Sequence, residues 1–349
     1  MEGTEQSSLN DEQLRAYDII DQHLQKTLRE KCPSQLRMVI PGEGGMGKLH
    51  TIQAITDNFV NWKVNNWLAK GAYTGIAASI INGNTLHVLT VMPIWGSQSM
   101  QTMKKLRCFW KGKKYLIIDE MSMLSQEFLA KISKILHIVM DREGRDGLAP
   151  FGGLNVILVG DFHQFPPVIC WRSAPLFYPN NTQYDKTEEI IGCKIYEQFQ
   201  TVVRLTKQIW VEDPIWQDIL QHVHYGNCKE HHIQLLRDLI VTNSKAEIDY
   251  DSEPWNSALL VTPRHNIHHA WNTAMAKKHC LLTKQPLIVS HAVDTIGGHP
   301  LSLAKQYVVL TKTNEKKKPR ESRFSSKSRI GGGYASNGDM EHAYRIRHH

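Results

Sequence analysis

Residues Pro41 to His50 read Pro-Gly-Glu-Gly-Gly-Met-Gly-Lys-Leu-His. From Gly42 to Lys48 they fit the phosphate-loop pattern G-x-x-x-x-G-K, which predicts a nucleoside triphosphate site. Gly44, Gly45 and Gly47 carry no Cβ, so the backbone can take positive φ and approach phosphate closely. Successive N–H groups then form an anion-binding nest at the positive end of the following helix. The Lys48 ammonium reaches toward the β- and γ-phosphates in such a site. Gly42, Glu43, Gly44, Gly45, Met46, Gly47, Lys48 and Leu49 are therefore the candidate nucleotide-binding residues. The pattern next asks for Ser or Thr to ligate Mg²⁺, and Leu49 has no ligating atom.

A phosphate loop belongs between a strand and a helix. Leu36 to Ile40 is a short apolar strand candidate, and Leu49 to Val60 is a helix candidate. Two further apolar runs end in acid: Tyr115 to Ile118 leads into Asp119-Glu120, and Val156 to Gly160 into Asp161. Such runs suit strands buried on both faces of a parallel sheet, whose ligands bind at the strands' carboxyl ends. Asp119 is the candidate Mg²⁺ ligand and Glu120 the group to polarise an attacking water.

The stretch Gly160-Asp161-Phe162-His163-Gln164-Phe165-Pro166-Pro167-Val168 resembles the G-D-x-x-Q-x-P-P-V signature of the petite-integration-frequency (PIF) helicases. Asp119 to Leu124 looks like that family's D-E-x-S-M segment. Thr74 to Ala78 with Gly83 to His87 is similar to its T-G-x-A-A…G-x-T-x-H motif. Leu9 to Gln13 resembles the adenine-reading motif, and the same residues also read as a helix start capped by Asn10 with Gln13 at N3. The wording of these motifs, with Thr262 to His265 and Trp271-Asn272, is most similar to the helicase portion of Helitron-type transposons. The resemblance runs from about Leu9 to Leu310.

It implies an ATP- and Mg²⁺-dependent 5′-to-3′ DNA helicase, with single-stranded DNA or single/double-strand junctions as partner. Family roles in recombination, repair and telomere maintenance follow only by this likeness. By position, Gln164 inherits the γ-phosphate sensor that joins Lys48, Asp119 and Glu120 in catalysis, and Gln13 the adenine contact. Thr74, Gly75, Thr85 and His87 inherit the single-strand contacts.

Departures from the family pattern weigh on activity. Leu205-Thr206-Lys207-Gln208-Ile209-Trp210 resembles the L-x-x-Q-x-R segment that opens the second motor domain, with Trp210 where the family places a charge-stabilising arginine. Losing such an arginine costs on the order of 10³ to 10⁵ in rate. After Leu310 nothing resembles the late helicase motifs, which suggests a truncated or frame-shifted copy. The alternative to a working helicase is therefore a degenerate copy that binds ATP or single-stranded DNA without unwinding.

Composition sets outer bounds. The 349 residues permit two or three domains, and 41% hydrophobic with 21% charged content is that of a globular chain. No apolar run approaches the roughly 18 residues of a transmembrane helix, and no targeting peptide is visible. The nucleus is the expected compartment, with the cytoplasm the other choice. The six cysteines lack a C-x-x-C pair, which fits reduced thiols. A net charge of +7 suits a polyanionic partner, and nothing asks for an obligate protein partner.

Lys104 to Arg107 and Lys111 to Lys114 flank Phe109-Trp110, either as a basic, aromatic contact for nucleic acid or as a turn with Trp110 in the core. Eighteen histidines invite a metal reading, notably His231-His232 and His265 with His269, yet no H-E-x-x-H pattern occurs and surface or core roles are expected. Trp210, Trp216, Trp255 and Trp271 read as packing within a second domain.

The expected fold is α/β: a RecA-like phosphate-loop domain with a parallel sheet over residues 1–200, then an incomplete second RecA-like domain over 201–310. Expected strands lie near 36–40, 71–74, 115–119 and 155–160, with a short wedge insertion near 88–106. Pro179 to Glu189 reads as a polar link, Ala258 to Val261 as a strand, and 311–349 as a basic disordered tail.

Overall fold

The computed structural model describes residues 8–29, 31, 33–91, 100–140, 149–167, 174–179, 185–242, 249–250, 252–253, 255–287, 289–291, 295–296, 299–303 and 328–330. The chain divides into two compact units, Met1–Asp238 and Leu239–His349.

The first unit is built on β1 (Arg37–Pro41), β2 (Leu68–Ala72), β3 (Asn84–Thr85), β4 (Tyr115–Asp119), β5 (Asn155–Gly160) and β6 (Thr201–Val202). They form one sheet in the order β3-β2-β4-β5-β1-β6, and every pairing is parallel. Side chains alternate across it, as the two-residue period of a strand requires. Val39, Leu116, Ile118, Val156 and Leu158 join one buried cluster, and Met38, Ile40, Tyr115, Ile117, Ile157 and Val159 the other. Both faces are thus covered, which is why these strands read as continuous apolar runs.

Helices α1 (Asp11–Leu28), α2 (Lys48–Asn61) and the short α3 (Gly75–Ile80) feed the second cluster through Ala16, Ile20, Ile52, Phe59 and Ala77. The short α4 (Leu86–Thr90), with α5 (Met100–Trp110), α6 (Gln126–Met140) and α7 (Thr187–Tyr196), covers the other face. Trp110 is fully buried and its indole N–H donates to the Leu89 carbonyl at 2.9 Å, so the core alternative for this residue holds. Its neighbour Phe109 is exposed.

Helix α7 begins inside the stretch expected to be a polar link. Lys186 N–H donates to the Glu189 carboxylate at 2.9 Å, and Glu189 is buried, so this acid caps the helix. Gly192 lets α7 close on the start of α6: a Cβ there would lie 1.9 Å from the Gln126 carbonyl oxygen. Gly192→Ala must push the helices apart, and a urea titration should show a loss of about 2–3 kcal/mol. An unchanged midpoint would contradict this packing.

Four other expectations need correction. The second strand is Leu68–Ala72, three residues earlier than expected. The first unit does not stop near 200: Thr201-Val202 pairs with β1, and Leu205 N–H donates to the Pro41 carbonyl at 2.8 Å. Helices α8 (Pro214–His224) and α9 (Glu230–Asp238) also belong to it. In the second unit Ala258 to Val261 forms no strand, and Val261 is 95% exposed.

That second unit contains α10 (His265–Thr283) and short antiparallel pairs. β7 (Val289–His291) joins β10 (Ser328–Ile330), and β8 (Thr295–Ile296) joins β9 (His299–Pro300). This is in keeping with an incomplete second RecA-like domain. The strand β10 lies within the stretch expected to be disordered; the rest of 311–349 is outside the described residues, as is Met92 to Ser97 of the expected wedge. No helix among the described residues is long and apolar enough to cross a membrane.

Candidate functional site

Parallel pairing puts the carboxyl ends of β1, β2, β4 and β5 on one edge of the sheet, where ligands of such folds bind. Four loops leave there: Gly42 to Gly47, Tyr73-Thr74, Asp119-Glu120 and Gly160-Asp161. The phosphate-loop residues are therefore brought together with both expected carboxylates and with Asp161.

Gly45 and Gly47 hold φ of 84° and 77°, the left-handed backbone foreseen for the loop, and Gly47 directly precedes α2. Lys48 Nζ donates to the carbonyls of Gly42 at 2.8 Å and Glu43 at 3.0 Å. Burial holds its pKa below the ordinary lysine value, against the opposing pull of Asp161, Glu120, Asp119 and Glu43. The surrounding acids outnumber this ammonium, so an anion entering here needs the loop N–H groups or a bound cation as well.

Asp119 Oδ1 accepts the Glu120 N–H at 2.9 Å. Burial raises the pKa of Asp119, and burial followed by the Asp119 charge raises that of Glu120. Glu120 itself takes a left-handed backbone, φ 55° and ψ 49°, uncommon outside glycine and a form of strain often found at functional sites. Gly160 makes room for that turn, since a Cβ there would lie 2.7 Å from the Met121 nitrogen. Gln164 reaches the loop as well: a Cβ on Gly44 would lie 3.9 Å from its Nε2.

Gln13 is buried and takes the N3 capping position expected of it at the helix start. Its N–H and side-chain oxygen complete the capping box with Asn10 at 2.9 and 3.0 Å. Its Nε2 also donates to the Met46 and Gly47 carbonyls at 3.4 and 3.3 Å, which ties α1 to the phosphate loop.

Thr74 and Thr85 cap α3 and α4, each hydroxyl accepting a backbone N–H at 3.3 Å from Ala77 or Val88. Gly75 opens α3. The exposed His87 ring packs on Tyr73 and Phe128, with centroids 5.4 and 5.1 Å away.

The segment Leu205 to Trp210 docks on the phosphate loop rather than opening a separate domain. Ile209 N–H donates to Gly45 O at 2.9 Å, and Gln208 Nε2 to Gly44 O at 3.0 Å. A Cβ on Gly45 would lie 2.0 Å from Gln208 Oε1, so this glycine admits the segment as well as any phosphate. Glu12 anchors the other end, accepting Thr206 N–H at 2.6 Å and the Thr206 hydroxyl. Trp210 is 78% exposed and packs into no core, contrary to its expected role.

Two histidines are held by carboxylates, and the first of these pairings escaped sequence reasoning because it joins segments 63 residues apart. His224 on α8 meets Asp161 through Nε2, at 3.0 Å to Oδ1 and 2.9 Å to Oδ2, beside His163. His232 on α9 is fully buried and meets Asp218, beside His222. His265 and His269 of α10 join no ligand cluster among the described residues.

A family model described as PIF1-like helicase matches residues 8–231. The chain belongs to the PIF1-like helicase family. Curated PIF1-like relatives include the ATP-dependent DNA helicase RRM3 of Saccharomyces cerevisiae, 29% identical over 216 residues, which are 60% of this chain and 27% of that protein. The ATP-dependent DNA helicase PIF1 of Xenopus laevis is 32% identical over 185 residues, 51% of this chain and 26% of that one. The chain thus spans about a quarter of the length of these relatives. Among solved structures, the Pif1 helicase from Candida albicans shares the fold at a TM-score of 0.55 and 22% identity, covering 87% of this chain and 60% of that one.

Proposed function

We propose that the first unit is the nucleotide-binding motor domain of an ATP-dependent 5′-to-3′ DNA helicase, with impaired hydrolysis in this copy. The observation that carries the reading is the loop itself: Gly45 and Gly47 at positive φ, with Lys48 Nζ held on the Gly42 and Glu43 carbonyls at the strand ends that bear Asp119, Glu120 and Asp161. Gly42 to Leu49 would cradle the phosphates through backbone N–H groups, Lys48 would turn from the loop carbonyls onto them, and Gln13 would read the base. Glu120 is the base that polarises water, and Gln164 the γ-phosphate sensor.

The hard oxygen donors at the strand ends fit Mg²⁺, and Asp119 would hold it. When bound, that ion neutralises charge on the phosphates. Leu49 supplies no oxygen and Trp210 no positive charge, so ATP binds weakly and turns over slowly. This favours the second reading, a copy that binds ATP and single-stranded DNA without processive unwinding.

For DNA, Thr74, Gly75, Thr85 and His87 lie at the carboxyl ends of β2 and β3. His87, with Tyr73 behind it, offers a ring on which a base can stack. Lys104, Lys105, Arg107 and Lys111 add exposed positive charge on and after α5. His87→Ala should weaken oligonucleotide binding by about fivefold in fluorescence anisotropy, the lower end of one stacking contact. Unchanged affinity would place the strand elsewhere.

DNA as partner sets the expected workplace in the nucleus; roles in recombination, repair or telomere maintenance extend the proposal by family likeness. The test of the nucleotide reading is ATP binding and single-strand-stimulated hydrolysis by the chain and by Lys48→Ala. Both signals should vanish in the variant, and a signal that survives it would refute the site.

A further inference from the structure

We propose that Asp161, His163 and His224 form a binding site for a borderline transition-metal dication such as Zn²⁺. Each offers one ligand atom, and the three atoms lie within 4.8 Å of one another. His224 Nε2 stands 2.9 and 3.0 Å from the two carboxylate oxygens of the buried Asp161. His163 Nδ1 is 3.9 Å from Asp161 Oδ1, and the two imidazoles pack with centroids 4.4 Å apart. Tetrahedral zinc with bonds of about 2.0–2.2 Å separates its ligands by a little over 3 Å, so His163 has to close by roughly half an ångström. Its side chain is 51% exposed, with the His224 and Tyr225 rings on its packed side, so the move is toward a ring it already touches.

The proton on His224 decides the matter. A ligating imidazole keeps its other nitrogen protonated toward a carboxylate or carbonyl. His224 Nδ1 is buried and lies 3.4 Å from Glu43 Oε1, without a well-aligned hydrogen bond in the metal-free arrangement. Without metal, Nε2 donates its proton to Asp161; when metal binds, that proton is released to solvent and an Nδ1 proton can face Glu43, which leaves the Nε2 lone pair for the ion.

The second histidine cluster lacks this property. His232 Nδ1 accepts the Lys229 N–H at 3.1 Å, so its Nε2 must carry the proton that it donates to Asp218 at 2.7 Å. A metal at that Nε2 would require an imidazolate. The structure thus separates one ligating cluster from one internal staple.

Two imidazoles with one carboxylate suit Zn²⁺ or Co²⁺ better than Mg²⁺, which takes oxygen. Metal here would clasp α8 to the end of β5 and, through Glu43, to the phosphate loop. The site needs no nucleotide, so its test is separate from that of ATP binding.

The experiment titrates the full chain with Co²⁺, without nucleotide, and reads the visible absorption of a tetrahedral complex together with zinc competition. One equivalent should bind, His163→Ala and His224→Ala should abolish the band, and His222→Ala should leave it intact. Glu43→Gln should weaken binding by about tenfold. No band at equimolar cobalt, or a band that survives His163→Ala, overturns the proposal. Because His163 is half exposed, that variant tests the site even where His224→Ala disturbs folding.

Discussion

Leu49→Ser combined with Trp210→Arg should raise ATP turnover by on the order of 10³ or more. The serine supplies the hydroxyl that a bound Mg²⁺ requires, and the arginine supplies charge for the transferring phosphoryl group. Neither change removes a core contact, because Leu49 is 44% and Trp210 78% exposed. Position 210 is already fixed against the loop, since Gln208 binds Gly44 O while its Oε1 accepts the Trp210 N–H at 3.2 Å. Steady-state phosphate release with and without single-stranded DNA measures the gain. A double variant as slow as the starting chain would show that these two residues do not cause the defect.

In that restored background, Glu120→Gln should lower turnover by on the order of 10² to 10⁴, the usual contribution of a positioned base. It should also remove the acid limb of the pH profile. The Glu120 carboxyl is raised above its ordinary 4.5 by burial and by the Asp119 and Asp161 charges, so the parent rate climbs as pH rises through that elevated value.

The stability sign runs the other way. A raised carboxyl contributes stability below its unfolded value, and that contribution is lost as pH rises through the folded one. Near neutral pH the glutamine variant should therefore melt higher while working more slowly. A retained acid limb, or a lower melting temperature, would separate Glu120 from the role assigned to it.

Much of the first unit was legible because its signals are local. The Leu116–Ile118 and Val156–Val159 runs inside β4 and β5 are unbroken apolar stretches, as strands covered on both faces require. The positive φ of Gly45 and Gly47 was legible because it is a local backbone demand that glycine meets. What escaped depends on long-range docking. Nothing within Leu205 to Trp210 reveals that Glu12 and Gly45 hold it, because those partners are nearly 200 and more than 160 residues away in sequence, respectively. The pairing of His224 with Asp161 spans 63 positions, and no short motif records it. Ala258 to Val261 misled for the opposite reason: apolar composition names a strand, but a strand exists only where another supplies its hydrogen bonds.

The sixth strand has a practical consequence for anyone expressing the first unit alone. A fragment cut at residue 200 would discard Thr201 and Val202 and leave Met38 and Val39 on β1 with an uncovered hydrogen-bonding edge. Such an edge recruits other copies, so the shortened product should collect as aggregates, whereas one carried through Asp238 keeps β1 covered by the short β6.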